Sequence, residues 1–293
     1  MKQFIGTGVA LITPFNEDLT IDFKSLEQLI EHNIANGTDY LVISGTTGES
    51  ATITADEKRQ LVDFIAKINN KRLPLVLGIG GNNTQKVIAE LKQSDLNDID
   101  AILSVSPSYS KPTQEGIYQH FKAVAEATTK PIILYNVPGR TASNMLPETI
   151  IRLANDFENI IGVKEAAGLM SQYLELLRTK PDDFLIISGD DDLALPVVLA
   201  GGAGVISVIG QAVTKPFTKM INLGLEKKPE AAFAIYFRLM NITRLIFSEN
   251  NPSGVKALLK KMSLADDFVR LPLVDATSAL KKALEKALKE IPQ

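Results

Sequence analysis

Eight short apolar runs recur along the chain: Val9–Ile12, Tyr40–Ile43, Leu75–Leu77, Ala101–Val105, Ile132–Tyr135, Ile160–Val163, Phe184–Ile187 and Val205–Val208. Within each run the apolar residues are continuous rather than alternating. A strand with one wet face alternates, whereas a strand covered on both faces does not. The runs therefore predict parallel strands buried front and back. Helix signals fill the gaps. Thr54-Ala-Asp-Glu57 is a capping box that opens an apolar-periodic stretch through Ile68. Pro147 stands at the first helical position of Pro147-Glu-Thr-Ile-Ile-Arg-Leu. Eight such strand–helix units predict a (β/α)8 TIM barrel over residues 1–210, carrying the active site. An open doubly wound sheet shares this periodicity, but eight units without a break for a second domain favour closure. Beyond Gly210 the patterns are all helical: Pro216–Glu226, Ala231–Ser248, Val255–Met262 and Thr277–Ile291. The last is amphipathic, with alternating charges and no aromatics, which predicts a packed helix rather than one lying on a membrane. Residues 211–293 are thus read as a C-terminal helical region packed on the barrel.

Composition narrows the functions. A net charge of −3 leaves no basic footprint for nucleic acid. With no Cys there is no disulfide framework, thiol nucleophile or cysteine metal site. The two histidines, His32 and His120, fall in helical patterns and read as ordinary helix residues, so no metal centre is expected. The glycine-interrupted N-terminus lacks a signal-peptide core, and no segment is long and apolar enough to span a membrane. The expectation is a cytoplasmic protein.

In a barrel, chemistry sits at the carboxyl ends of the strands. There the sequence places Gly45-Thr-Thr-Gly-Glu-Ser50, Ser106-Pro-Ser-Tyr109, Tyr135-Asn-Val-Pro-Gly-Arg140, Lys164 and Ser188-Gly-Asp-Asp-Asp192. Lys164 closes the apolar run Asn159-Ile-Ile-Gly-Val-Lys164. An amine in dry surroundings sheds its proton readily, and a neutral amine can form a Schiff base with a carbonyl. The loop after the second run, with its glycines, backbone N–H groups and threonine hydroxyls, suits a carboxylate or phosphate. Asp190–Asp192 reads as helix capping before Leu193, with a metal cluster as the alternative. Gly78-Ile-Gly-Gly-Asn-Asn83 lacks the third glycine of a dinucleotide loop.

Gly45-Thr-Thr-Gly-Glu-Ser50, Tyr135-Asn-Val-Pro-Gly-Arg140 and Val163-Lys164-Glu165-Ala166, in that order, resemble the dihydrodipicolinate synthase (4-hydroxy-tetrahydrodipicolinate synthase) family of the N-acetylneuraminate lyase superfamily. The resemblance runs through the whole chain, including Asn251-Pro252 and Val255-Lys256. It implies a lyase that condenses pyruvate with L-aspartate 4-semialdehyde in lysine and diaminopimelate biosynthesis. Lys164 would form the Schiff base. Thr46 and Thr47 would bind the pyruvate carboxylate through backbone groups. Tyr135, Thr47 and Tyr109 would form a proton relay, with Tyr109 reaching in from a neighbouring subunit of a homotetramer, a dimer of dimers. Arg140 would clamp the semialdehyde carboxylate, and Gly189 and the Ile206 carbonyl would line the pocket. Imine chemistry of this kind needs neither cofactor nor metal.

In lysine-inhibited members an interface site matches Ser50, Ala51, Ala55, Lys58, Asn82, Lys86 and Ser108. Ala55, Lys86 and Ser108 replace a polar side chain, an acid and an aromatic of sensitive members, which implies weak or absent lysine inhibition. Three other readings share parts of the pattern. One is a pyruvate aldolase acting on N-acetylneuraminate or a 2-keto-3-deoxy sugar acid. Another is a non-catalytic barrel that binds small carboxylates. The third is a phosphate-binding barrel using Gly201-Gly-Ala-Gly204.

Overall fold

A computed structural model describes residues 1–291. Eight parallel strands close into one barrel in sequential order. They are β1 Gly6–Ala10, β2 Tyr40–Ile43, β3 Leu75–Gly78, β4 Ala101–Val105, β5 Ile132–Asn136, β6 Ile160–Glu165, β7 Leu185–Ser188 and β8 Gly204–Ser207. The pairing of β1 with β8 decides between barrel and open sheet in favour of the barrel. Continuous burial along the strands has the expected cause. Tyr40, Val42, Val76, Leu103, Ile133 and Ile187 share the barrel interior, while Leu41, Ile43, Leu77, Ile102, Leu134 and Val163 pack outward under the helices.

Several strand boundaries depart from the apolar runs, those of β1 and β8 for identifiable reasons. β1 begins at Gly6 rather than Val9 because Gly6, Thr7 and Gly8 form the seam with β8 by backbone pairing alone. A Cβ on Gly204 would lie 1.9 Å from the Gly6 carbonyl oxygen, so the ring closes only with glycine there. Leu11 and Ile12 run on as loop, and the Ile12 amide donates to Gln211 Oε1 at 2.9 Å. β8 stops at Ser207 because the carboxylate of Asp191 takes the Val208 amide, 3.0 Å away.

Helices α1 Phe23–Ala35, α2 Ala55–Asn69, α3 Thr84–Gln93, α4 Gln114–Glu126, one-turn α5 Pro138–Thr141, α6 Pro147–Asp156, α7 Met170–Thr179 and α8 Ala194–Leu199 alternate with the strands. The capping box at α2 is present in full. Thr54 accepts from the Glu57 amide, and the Glu57 carboxylate accepts from the Thr54 amide. His32 lies in α1 and His120 in α4. The chain ends in α9 Thr214–Leu225, α10 Pro229–Phe247, α11 Ser253–Lys261 and α12 Ser278–Lys289, each within two residues of its sequence pattern. α9 packs on β1, α8 and α10, and α10, α11 and α12 pack on one another. The apolar stripe of α12 is buried through Leu280, Leu284 and Ala287.

Candidate active site

The register of β5 and β6 pairs Tyr135 with Lys164. Val163 faces the outer core, so Lys164 points inward, with its Nζ 4.4 Å from the centroid of the Tyr135 ring. Both side chains are buried, 6% and 7% exposed. Just past the end of β7, Gly189 leaves room for the lysine stem. A Cβ there would lie 3.1 Å from Lys164 Cε and 2.7 Å from Ala166 Cβ.

These groups open onto a cavity of about 350 Å³ at the strands' carboxyl ends, with an apolar floor of Ala10, Val42 and Leu103. Thr46, Thr47, Tyr135, Arg140, Lys164 and Gly189 all line it. Arg140 projects from α5 at the exposed rim. Ile206 is fully buried in the barrel interior, and the β8 side of the cavity is walled by Val208. Tyr109 is outside the cavity of its own chain. It is 89% exposed, in the left-handed region at φ 70°. Among the described residues no hydrogen bond joins Tyr135, Thr47 and Tyr109 within the chain.

The threonine loop is held by distant residues. Thr46–Gly48 forms one 3-10 turn, and Glu49 follows in the left-handed conformation. The Asn251 amide donates to Thr47 Oγ1 at 2.9 Å. Lys256 Nζ donates to Glu49 Oε1 at 2.5 Å and to the Phe268 carbonyl at 2.8 Å, and lies 4.2 Å from the Phe15 ring centroid. The second Glu49 oxygen accepts from the Arg270 amide. Lys256 and Glu49 are fully inaccessible, and burial lowers the lysine to about 8 against the pull of Glu49. Asn251 and the Lys256–Glu49 pair were not identified from sequence as parts of the site. Pairings across some 200 positions leave no local pattern to read.

Three acids stand at or just past the carboxyl ends of β6 and β7. Glu165 accepts from Asn136, Gln172 and the Ala167 amide, yet burial outweighs these donors and raises it to about 7. Asp190 lines the cavity, is raised by burial, and accepts from the Gly168 amide and the Tyr173 hydroxyl, each at 3.1 Å. Asp191, raised by burial to about 6, accepts from the Val208 and Ile209 amides. The capping expectation for Asp190–Asp192 is therefore corrected. α8 starts after Leu193 with no side-chain cap, because Asp190 and Asp191 are turned into the protein to bind backbone amides that strand pairing leaves free. No group of three or more His, Cys, Asp or Glu among the described residues is placed to hold a metal ion. No described helix is long and apolar enough to cross a membrane.

A second cavity, about 440 Å³, shares Gly45, Thr46, Leu103 and Tyr135 with the first and extends past Ser50, Ala51, Ala55 and Lys58. Lys58 Nζ is already engaged, donating to the Gly78 carbonyl at 2.6 Å and to Glu90 at 2.5 Å. Lys86 is exposed, and Asn82 donates to the Ser108 carbonyl at 3.4 Å.

Comparison with known proteins agrees with this geometry. The model of the dihydrodipicolinate synthetase family matches residues 3–291. The 4-hydroxy-tetrahydrodipicolinate synthase of Flavobacterium psychrophilum is 55% identical over 291 residues, covering 99% of both chains. The crystal structure of the dihydrodipicolinate synthase of Thermotoga maritima superposes with a TM-score of 0.96 at 37% identity, over 98% of each chain. That of the chloride-inhibited Acinetobacter baumannii enzyme complexed with pyruvate superposes with a TM-score of 0.95 at 38% identity, also over 98% of each. With the family's motifs set around one cavity and the match running nearly end to end, the chain belongs to the dihydrodipicolinate synthetase family.

Proposed function

We infer that the chain is a lyase that joins pyruvate to L-aspartate 4-semialdehyde through a Schiff base on Lys164, giving 4-hydroxy-tetrahydrodipicolinate. The observation that carries this reading is the buried amine of Lys164 beside Tyr135 in a cavity also lined by the Thr46-Thr47 turn and Arg140. The neutral amine adds to the pyruvate ketone, and loss of water leaves an iminium. Loss of a methyl proton gives the enamine, whose carbon attacks the aldehyde. The semialdehyde's own amine then displaces Lys164 and closes the ring.

Each role has a physical basis. Asp190 and Asp191, close enough to feel the charge of Lys164, favour the cationic iminium. The Tyr135 phenol can carry protons to and from the carbinolamine oxygen, with the Thr47 hydroxyl as next in line. Amides of the 3-10 turn at Thr46-Thr47 suit the pyruvate carboxylate, and the Arg140 fork suits the second carboxylate at the rim. Gly189 and the Ile206 carbonyl complete the list of pocket residues that the family resemblance assigns.

The reading includes a homotetramer. Tyr109 stands exposed on its loop, where a neighbouring copy would receive it. On α10, Phe237 is 64% exposed and stacked on Phe233, an apolar side chain left open to solvent. Exposed Tyr109 and Phe237, on different elements, are compatible with the two kinds of contact that a dimer of dimers uses. Sedimentation gives the assembly state, and mixing Tyr109→Phe with Lys164→Ala protomers restores partial activity only if the tyrosine crosses between subunits.

The deciding experiment is intact mass after borohydride reduction with pyruvate. Wild type should gain a pyruvate-sized adduct and Lys164→Ala none. An adduct retained in the variant would place the imine on another lysine.

A further inference from the structure

We propose that Asn251 is a positioning residue, which holds the Thr47 hydroxyl so that its proton is offered into the cavity. The proposal rests on the reading of Thr47 as part of the relay. A threonine hydroxyl has one proton to give and two lone pairs to receive with. The Asn251 amide nitrogen lies 2.9 Å from Thr47 Oγ1, and both side chains are buried and line the cavity. If nitrogen faces Thr47, a lone pair of the hydroxyl is filled, and its proton must point elsewhere. Among the described residues no other protein group accepts that proton, so the cavity and whatever enters it remain.

The orientation of the amide follows from what is left unpaired. Asn251 Oδ1 is buried with no partner. Turning the amide over would let Oδ1 receive the Thr47 proton, but would leave the buried NH2 without an acceptor. Orphaned buried N–H groups are rarer than orphaned carbonyls, so nitrogen belongs on Thr47. The protein thus carries an unmatched acceptor in order to keep Thr47 receiving on one side and giving on the other. The support behind this bond is stiff. Two positions on from Thr47 and five on from Asn251, the buried Lys256–Glu49 pair fixes the start of α11 to the same loop. The two bonds bridge 204 and 207 positions, so helices outside the ring of strands set the direction of a hydroxyl at its mouth.

The test uses the full-length enzyme and four variants: Asn251→Asp, Asn251→Ala, Thr47→Val, and Asn251→Ala combined with Thr47→Val. Aspartate keeps the shape but has no N–H to donate. As a carboxylate it accepts the Thr47 proton and turns it away from the cavity. Both single Asn251 variants should lower kcat about tenfold or more, with KM for either substrate changed less than about threefold. The Asn251→Asp deficit relative to wild type should shrink as pH falls and the acid regains a proton to donate. In the Thr47→Val background, removing Asn251 should cost less than about twofold. Wild-type turnover by Asn251→Asp, or fully additive losses in the double variant, would overturn the proposal while leaving the relay intact. Full activity in Thr47→Val would overturn the relay reading and the proposal together. Melting temperature and borohydride trapping of Lys164 show that each variant is folded, and Asn251→Ala serves alone if aspartate destabilises.

Discussion

Tyr135 and Lys164 are register partners on adjacent strands, and their contact is set by backbone pairing. The amine lies 4.4 Å from the ring centroid because β5 and β6 hold both Cα atoms in place, not because a loop brings them together. An amine and a phenol built on neighbouring strands are held in place before anything enters the cavity.

Arg140 occupies the rim, on a single helical turn, away from the amine's floor. Arg140→Ala should raise KM for the semialdehyde about 10- to 100-fold, the scale of a lost charge-assisted hydrogen bond, and leave KM for pyruvate within about threefold. Steady-state kinetics with each substrate varied separately checks this. Equal losses for both substrates would make Arg140 a structural residue.

The Lys256–Glu49 pair is fully buried, so removing one partner strands a charge. Lys256→Met should cost about 3–5 kcal/mol, read by urea denaturation. Adding Glu49→Gln should recover part of the loss. A loss below about 1 kcal/mol in the single variant would show that water reaches Glu49.

His120 is buried in α4, with Nδ1 2.9 Å from Thr84 Oγ1 and Nε2 unpartnered. Burial lowers it from 6.5 to about 4. Below the unfolded value the unfolded chain binds the proton first, so this stabilisation is present above pH 6.5 and is lost as pH falls to about 4. His120→Asn should therefore lose less stability than wild type on that descent, by up to about 3 kcal/mol. Thermal melts across the interval measure the difference. Parallel curves would show that His120 is protonated in the native state.

Inhibition by lysine should be weak. Lys58 already spends two of its three donors on Gly78 and Glu90, Ala55 offers none, and the Lys86 ammonium repels another ammonium. Activity should hold to about 10 mM lysine, and half-inhibition near 1 mM would contradict this. Isothermal titration with lysine separates failure to bind from binding without effect.

The barrel was legible because burial on both faces writes itself as unbroken apolar runs, and Lys164 and Tyr135 stand at the ends of two of them. Thr46 and Thr47 were legible as a glycine-flanked turn. The acids at 190 and 191 were misread, since before a helix an Asp resembles a cap, and only coordinates show the carboxylates turned toward free backbone amides. Asn251 and Lys256 look like ordinary polar residues at the start of a helix. Their importance lies in partners supplied by a loop far earlier in the chain, and periodicity is blind to such pairs.

The two bonds reaching back to the threonine loop also have a consequence for synthesis. A ribosome finishes the eighth strand at Ser207 and has by then released Lys164 and Tyr135, but Asn251 and Lys256 are still to be made. A chain stopped there would carry the amine with Thr47 untethered and Glu49 without its counter-charge. On the proposed reading of the site, the loop that carries Thr47 is therefore completed only when the carboxyl-terminal segment arrives.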